Sequence, residues 1–169
     1  MAKKYTRIED IADELTVDLD TLGFQSLSPK KDEVLRYRKK GNNFSIQIGL
    51  EQSDNDSDQP EYNNIYLTLN YGLPSWIQDP KMNVLPDAEQ MSQFFRNSPI
   101  SNHQRVLNTD KSKEGQRDLL YQIGFKKDRT TPDEMRVVLR EAIDYFCNYA
   151  TANLQMLVMT ERFNRKLLV

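Results

Sequence analysis

Hydrophobic and polar positions alternate along the chain with two different periods, one typical of helices and one typical of strands. From residue 6 to residue 22, apolar residues recur at steps of three and four, so they form one face of a helix. Thr6 and Glu9 have the spacing of a capping box, which satisfies backbone N–H groups at a helix start. Gly23 stands where a left-handed residue ends a helix. We therefore predict a helix over 6–22.

Segments with a period of two follow this helix. Apolar residues alternate with polar ones in 33–39, 44–50 and 64–72, which is the pattern of strands with one buried face. Turn-forming residues at 40–43 separate the first two segments. Because consecutive half-buried strands pair antiparallel, the pattern predicts a meander over 33–72 with one polar face.

The middle of the chain has no clear period. Residues 73–110 contain several prolines and the only tryptophan, Trp76, so we predict an irregular segment, with a broken edge strand as the alternative for 73–86. A short helix is expected to begin after Asp87. Residues 111–123 are predicted to be helical, since a glycine follows them as it follows the first helix.

The strongest helix prediction is at the C-terminus. Thr131 and Glu134 have capping-box spacing around Pro132, a residue that favours the first helical position. An apolar stripe at helical spacing follows, with weak helix formers at 151–153, where the helix can kink or break. The predicted helical part is therefore 111–166.

The order of these elements indicates the fold class. Strands that precede helices, rather than alternate with them, are typical of α+β proteins. The prediction is an N-terminal helix, an antiparallel meander of about three to four strands, and C-terminal helices packed on one sheet face. The 169 residues suit a single domain, 1–169.

Composition limits the class of protein further. The chain has 23 basic and 25 acidic residues, a formal net charge of −2, one cysteine and one histidine. One cysteine cannot form an internal disulfide, no apolar run reaches the ~18 residues of a membrane span, and the N-terminus lacks the apolar core of a signal peptide. These features favour a cytoplasmic protein with no membrane partner. The net charge argues against a dedicated nucleic-acid binder, whose domain is usually clearly basic.

The inventory of catalytic residues is small. His103 lies in a polar segment without partners that would orient it, and Cys147 lies among apolar residues, as a small core residue does. The sequence has no phosphate-binding or dinucleotide motif and no nucleophile elbow, and one cysteine and one histidine cannot form a zinc cluster. We expect a protein that is not an enzyme, with no catalytic, cofactor-binding or metal-binding residues.

An acidic stretch is the first candidate for a binding surface. It contains five carboxylates and no basic residue: Glu51, Asp54, Asp56, Asp58 and Glu61. The three aspartates begin like a calcium loop, but Gln59 and Ile65 stand where that loop needs glycine and glutamate. The stretch is either a solvated hairpin loop or an acidic surface that steers a basic partner. Metal-assisted hydrolysis by the three aspartates is a third hypothesis.

The polar face of the meander is a second candidate surface. Arg36, Arg38 and Tyr66 would lie on it, and basic and aromatic side chains on an open sheet resemble an RNA-binding platform in outline. The alternative is a solvated or partly covered face. Trp76 is either a core plug or an interface anchor.

Four pieces of the chain, in order, carry a family resemblance. They are Leu22-Gly23-Phe24, Arg36-Tyr37-Arg38, Leu50-Glu51-Gln52-Ser53 and Asn70-Tyr71-Gly72. Over roughly its first 75 residues, the chain resembles a family of uncharacterised bacterial domains that are often encoded beside polymorphic or contact-dependent toxins. The family has no established catalytic residues. The resemblance implies an immunity protein that binds a cognate toxin and occludes its active site.

The acidic stretch would fit one kind of toxin by charge, a basic nuclease domain. Two alternatives stay open at this point. One is a nucleic-acid-binding module that uses Arg36, Arg38 and Tyr66. The other is a phage-type inhibitor of a host enzyme, which needs the same kind of complementary surface.

Overall fold

The computed structural model of the chain describes residues 5–53, 60–73, 86, 89–90, 93–94, 108–113 and 116–167, and the backbone alone for 108–113, 116–120 and 163–167. The elements in chain order are α1 (Ile8–Thr21), β1 (Gln25–Leu27), β2 (Leu35–Gly41), β3 (Phe44–Ser53), β4 (Tyr62–Gly72), β5 (Asn108–Lys113), β6 (Gln116–Lys126) and α2 (Pro132–Leu167). The strands form one antiparallel sheet in the order β1-β2-β3-β4-β6-β5. The α+β class is confirmed. The prediction of three to four strands is too low, because the pattern predicts the end of an irregular segment and a helix where β5 and β6 lie, and it does not reveal the three-residue β1.

The end of α1 follows the sequence prediction. Gly23 has a φ of +93°, in the left-handed region. Its N–H donates to the carbonyl of Asp20 at 3.0 Å, and the N–H of Phe24 donates to the carbonyl of Leu19 at 2.9 Å. These two bonds define a Schellman ending, which satisfies carbonyls that have no partner inside the helix.

The helix α1 begins at Ile8, and its capping box lies one residue later than predicted. The carboxylate of Asp10 accepts a hydrogen bond from the N–H of Arg7 at 2.9 Å, so the box begins at Arg7 and not at Thr6. The Thr6 hydroxyl instead donates to the carbonyl of Thr130 at 3.0 Å. This long-range contact ties the start of α1 to the segment before α2, a use of the hydroxyl that local spacing cannot reveal.

The helix predicted over 111–123 is wrong. The described residues of this range, 111–113 and 116–123, belong to β5 and β6, which pair from Asn108–Tyr121 to Lys113–Gln116. Gly124 is not a helix stop, because it lies within β6 opposite Asn64 of β4. Cross-strand pairing has overridden the helix propensity of a charged segment.

The predicted irregular segment, 73–110, lies mostly outside the described residues. Its last three residues, 108–110, belong to β5 and are not irregular. Within the short helix expected after Asp87, the described positions 89–90 and 93–94 are helical.

The start of α2 agrees with the prediction. The hydroxyl of Thr131 accepts a hydrogen bond from the N–H of Glu134 at 3.2 Å, and the Glu134 carboxylate accepts one from the N–H of Thr131 at 3.3 Å. The helix then runs for 36 residues without interruption at 151–153, so the predicted set of C-terminal helices is one long helix. Among the described residues, no helix is both long and apolar enough to cross a membrane.

The core lies on one face of the sheet, beneath both helices. Thr16 of α1 shares a hydrogen bond of 2.8 Å with the hydroxyl of Tyr37 in β2, and the ring of Phe146 in α2 lies 4.3 Å from that of Tyr121 in β6. Strand register places both tyrosines on the apolar face. Cys147 is buried in this core, as predicted. The opposite face of the sheet carries polar side chains.

Candidate functional site

The predicted acidic stretch is described only at its two ends. Glu51 is half-buried near the end of β3, opposite Tyr66 in β4, and Glu61 is exposed just before β4. The three aspartates of the stretch lie outside the described residues: Asp54, Asp56 and Asp58. The role of this stretch therefore stays a prediction.

The described ends of the β3–β4 hairpin lie against the start of α1. The side-chain oxygen of Gln52 accepts a hydrogen bond from the N–H of Ile8 at 2.7 Å. The amide of Asn63 donates to the carbonyl of Thr6, also at 2.7 Å. The first turn of α1 and the flanks of the acidic stretch are thus neighbours, although more than 40 residues separate them in the sequence.

The second predicted surface, the polar face of the meander, has fewer available basic side chains than the sequence indicates. Arg36 is 4% exposed, and its Nη1 lies 2.7 Å from Oε2 of Glu33. Its Nε and Nη2 donate to Oε1 of Gln47 at 2.9 and 2.7 Å. Arg38, which is half-buried, donates to Oε1 of Gln25 at 2.8 Å. Arg36 can reach a phosphate only by leaving a buried ion pair, which weakens the nucleic-acid hypothesis.

The outer side of α1 is strongly acidic, and sequence reasoning missed it. Its 14 residues include six carboxylates and no basic residue. Five of the six are exposed: Glu9, Asp10, Asp13, Glu14 and Asp20. The sixth, Asp18, forms an ion pair of 2.5 Å with Arg136 in α2.

Three of these carboxylates have no ion-pair partner among the described residues: Asp13, Glu14 and Asp20. They surround Val17, whose side chain is 63% exposed. Each lies one helical turn from Val17, at the spacing that makes residues neighbours on a helix surface. We call these four residues the α1 acidic face.

A shallow hollow adjoins Val17. It has a volume of about 240 Å³ and lies between the last turns of α1 and β1, the strand at one end of the sheet. Its lining residues are Thr16, Val17, Asp20, Thr21, Phe24 and Ser26. An apolar centre with a charged rim is the arrangement found in protein–protein interfaces.

The negative charge of Asp20 does not stabilise the fold. It lies in the last turn of α1, where the helix dipole makes a negative charge unfavourable by about 0.3–1 kcal/mol. The last turn has no basic residue to offset this charge. A cationic partner would offset it on binding.

A second hollow, the α2 groove, lies on the side of α2 that faces the short helical segment. Its volume is about 370 Å³, and its lining residues are Phe94, Glu141, Asp144, Tyr145, Asn148 and Tyr149. The rings of Phe94 and Tyr145 are stacked, with centroids 4.4 Å apart and planes 18° apart. Gln90 donates to the hydroxyl of Tyr149 at 3.1 Å, so the segment is held against α2 at two points.

The shifted side-chain pKa values in the core have structural causes. Burial raises the pKa of Cys147 to about 12. Burial also raises the pKa of Tyr37, an effect partly opposed by its hydrogen bond to Thr16.

In the part of the chain that the structure describes, no group of three or more His, Cys, Asp or Glu side chains could hold a metal ion. His103 and Trp76 lie outside that part.

Comparisons of the chain with protein-family models, with curated proteins and with solved structures found no match. The family resemblance noted in the first part of the chain therefore stays a hypothesis, and the function is argued below from the surfaces themselves.

Proposed function

We propose that the chain is an immunity-type inhibitor: a non-enzymatic, cytoplasmic protein that binds a basic protein toxin and neutralises it by covering its active site. The observation that carries this proposal is the α1 acidic face, where three carboxylates without ion pairs surround the exposed Val17. The family resemblance supports the same role. A phage-type inhibitor of another basic enzyme would use the same surface, and the identity of the partner distinguishes the two.

The charges and the apolar centre of this face would have separate effects on binding. Uncompensated carboxylates attract a cationic surface from a distance, so they raise the association rate. Val17 would leave water on binding, which slows dissociation. Since α1 has 14 residues, it spans about 21 Å at 1.5 Å per residue. A rigid acidic helix of that length can lie along the substrate groove of a nuclease and exclude nucleic acid.

The experiment captures the partner from the source cell with tagged protein and compares three variants. Asp20→Lys reverses one charge on the α1 acidic face, and Val17→Ser removes its apolar centre. Glu161→Lys is the matched control, because it makes the same charge change in α2. The captured partner is identified by mass spectrometry, purified, and measured for binding rates and for the inhibition of its activity.

We expect a stoichiometric partner with a basic surface whose toxic activity the wild-type chain inhibits. Asp20→Lys should lower the association rate about threefold or more at low salt, and the difference should fade as salt screens the charges. Val17→Ser should raise the dissociation rate about tenfold. The control should bind like the wild type.

Asp20→Lys also separates binding from folding. A lysine in the last turn of α1 interacts favourably with the helix dipole, so this variant should unfold at the same or a higher urea concentration than the wild type. Unchanged binding by both α1 variants, or a partner whose contact surface is acidic, would overturn the proposal.

A further inference from the structure

The α2 groove brings two kinds of side chain together. Glu141, Tyr145 and Tyr149 follow one another at four-residue steps and form a row along α2, with Asp144 in the adjacent row. Phe94 approaches from the other side and stacks on Tyr145. One wall of the groove is therefore aromatic, and carboxylates stand beside it.

The carboxylates of the groove form no ion pair with the described part of the chain. Glu141 and Asp144 are half-buried, and within the described ranges neither has an ion-pair partner. Partial burial takes water from a carboxylate, which makes a nearby cation more favourable. The faces of tyrosine rings also attract cations, most strongly where water is excluded. Both features select for a positively charged group.

The chemistry of the groove lining favours a planar cation over a compact one. A guanidinium can stack on an aromatic ring and donate two parallel hydrogen bonds to a carboxylate. An ammonium is a strongly hydrated point charge and does neither. We propose that the α2 groove takes an arginine side chain of the partner protein, between the tyrosine rings and the carboxylates of Glu141 and Asp144. The source of the arginine rests on the proposed function, but the site can be tested without the partner.

The test is a titration of the isotopically labelled chain with three small probes, followed by backbone amide NMR shifts. Nα-acetyl-arginine amide is the ligand, Nα-acetyl-lysine amide is the competing cation, and Nα-acetyl-citrulline amide is the neutral isostere of the ligand. We expect saturable shifts centred on residues 141–149 with arginine, weaker ones with lysine and none with citrulline.

Two variants identify the contacts. Tyr145→Leu should weaken the binding of the arginine probe about fivefold through loss of the cation–π contact. The double variant Glu141→Gln/Asp144→Asn should weaken it about tenfold or more. Glu161→Gln is the control, since it removes a charge from the same helix about five turns away, and it should leave binding unchanged.

Three results would overturn the arginine site: equal shifts with citrulline and arginine, no saturable shifts, or shifts confined to α1. All three leave the proposed function intact, because that function depends on the capture experiment and the α1 variants. A saturable arginine site in the α2 groove, together with unchanged partner binding by the α1 variants, would overturn the proposed function and leave the arginine site standing.

Discussion

Removal of Glu33 from its ion pair with Arg36 is a direct test of how the polar face of the sheet is built. The two side chains are 5% and 4% exposed, and their charged atoms lie 2.7 Å apart. The second carboxylate oxygen of Glu33 accepts a hydrogen bond from the N–H of Lys30 at 2.9 Å. Glu33→Ala leaves the Arg36 charge buried without its partner, which costs about 3–5 kcal/mol. In a chain of this size, that loss lowers Tm by roughly 6–20 °C.

Gly49 offers an independent way to break the same pair. A Cβ at this position would lie 1.8 Å from Oε2 of Glu33, so Gly49→Ala must displace the carboxylate. Gly72→Ala is the matched control, since its Cβ would meet Oγ of Ser45 at 3.4 Å, an ordinary contact. Urea unfolding followed by circular dichroism should show a lower midpoint at an unchanged slope for Gly49→Ala. The control should stay within about 0.5 kcal/mol of the wild type.

The double variant Glu33→Leu/Arg36→Met separates loss of the pair from loss of packing. Replacing both partners of a buried pair by apolar residues is often neutral or stabilising, so the double variant should recover most of the stability that Glu33→Ala loses. A loss below about 1 kcal/mol for Glu33→Ala would refute the reasoning, because that is the range of a solvated pair. Arg36 would then again be a candidate for nucleic-acid contacts.

Three further predictions concern α2 and the core. Thr131→Ala removes the cap of α2 and should cost about 0.5–2 kcal/mol in urea unfolding, whereas Thr160→Ala, at an exposed site of the same helix, should change stability by less. Burial raises the pKa of Cys147 to about 12, so a thiol reagent at pH 8 should label it only after unfolding; immediate labelling of the folded chain would contradict its burial. Burial also raises the pKa of Tyr37. Groups with a raised pKa in the folded state contribute stability that is complete below the unfolded pKa and is lost as pH rises toward the folded pKa. For Cys147 that window runs from 9.0 to about 12, so Cys147→Ala should flatten the decline of the urea midpoint above pH 9, and parallel curves would contradict this.

Features that depend on a few neighbouring residues could be predicted from the sequence. The Schellman ending at Gly23 and the capping box at Thr131 are closed by partners within five residues. Strand pairing is not local, and the helix predicted over 111–123 failed for that reason. One local clue was present in the sequence. Only two residues separate Lys113 from Gln116, its partner in the sheet, and the second of them is a glycine. A glycine in a two-residue connection is typical of a hairpin.

Some features of the candidate sites could likewise be predicted from the sequence, and others form only in the fold. Alternation places Arg36 on the polar face but cannot show that Glu33 folds back over it. The nearest clue is Gly49, since a glycine inside a strand often marks a close approach. The acidic outer side of α1 could have been found from the sequence, because all its carboxylates lie in one predicted helix. The α2 groove could not, since Phe94 and Tyr145 are 51 residues apart in the chain and meet only in the fold.

The number of carboxylates in a segment does not by itself locate the strongest negative surface. Beside the flanks of the β3–β4 hairpin, Arg7 pairs with Glu9 at 3.2 Å, and this ion pair weakens the negative field there. Asp20 has no ion-pair partner among the described residues. A basic partner should therefore be centred on the α1 acidic face, with the hairpin at its rim. Glu61→Lys should then slow association with the captured partner less than Asp20→Lys does, when both rates are measured at the same low salt concentration. A larger effect of Glu61→Lys would move the binding centre to the hairpin.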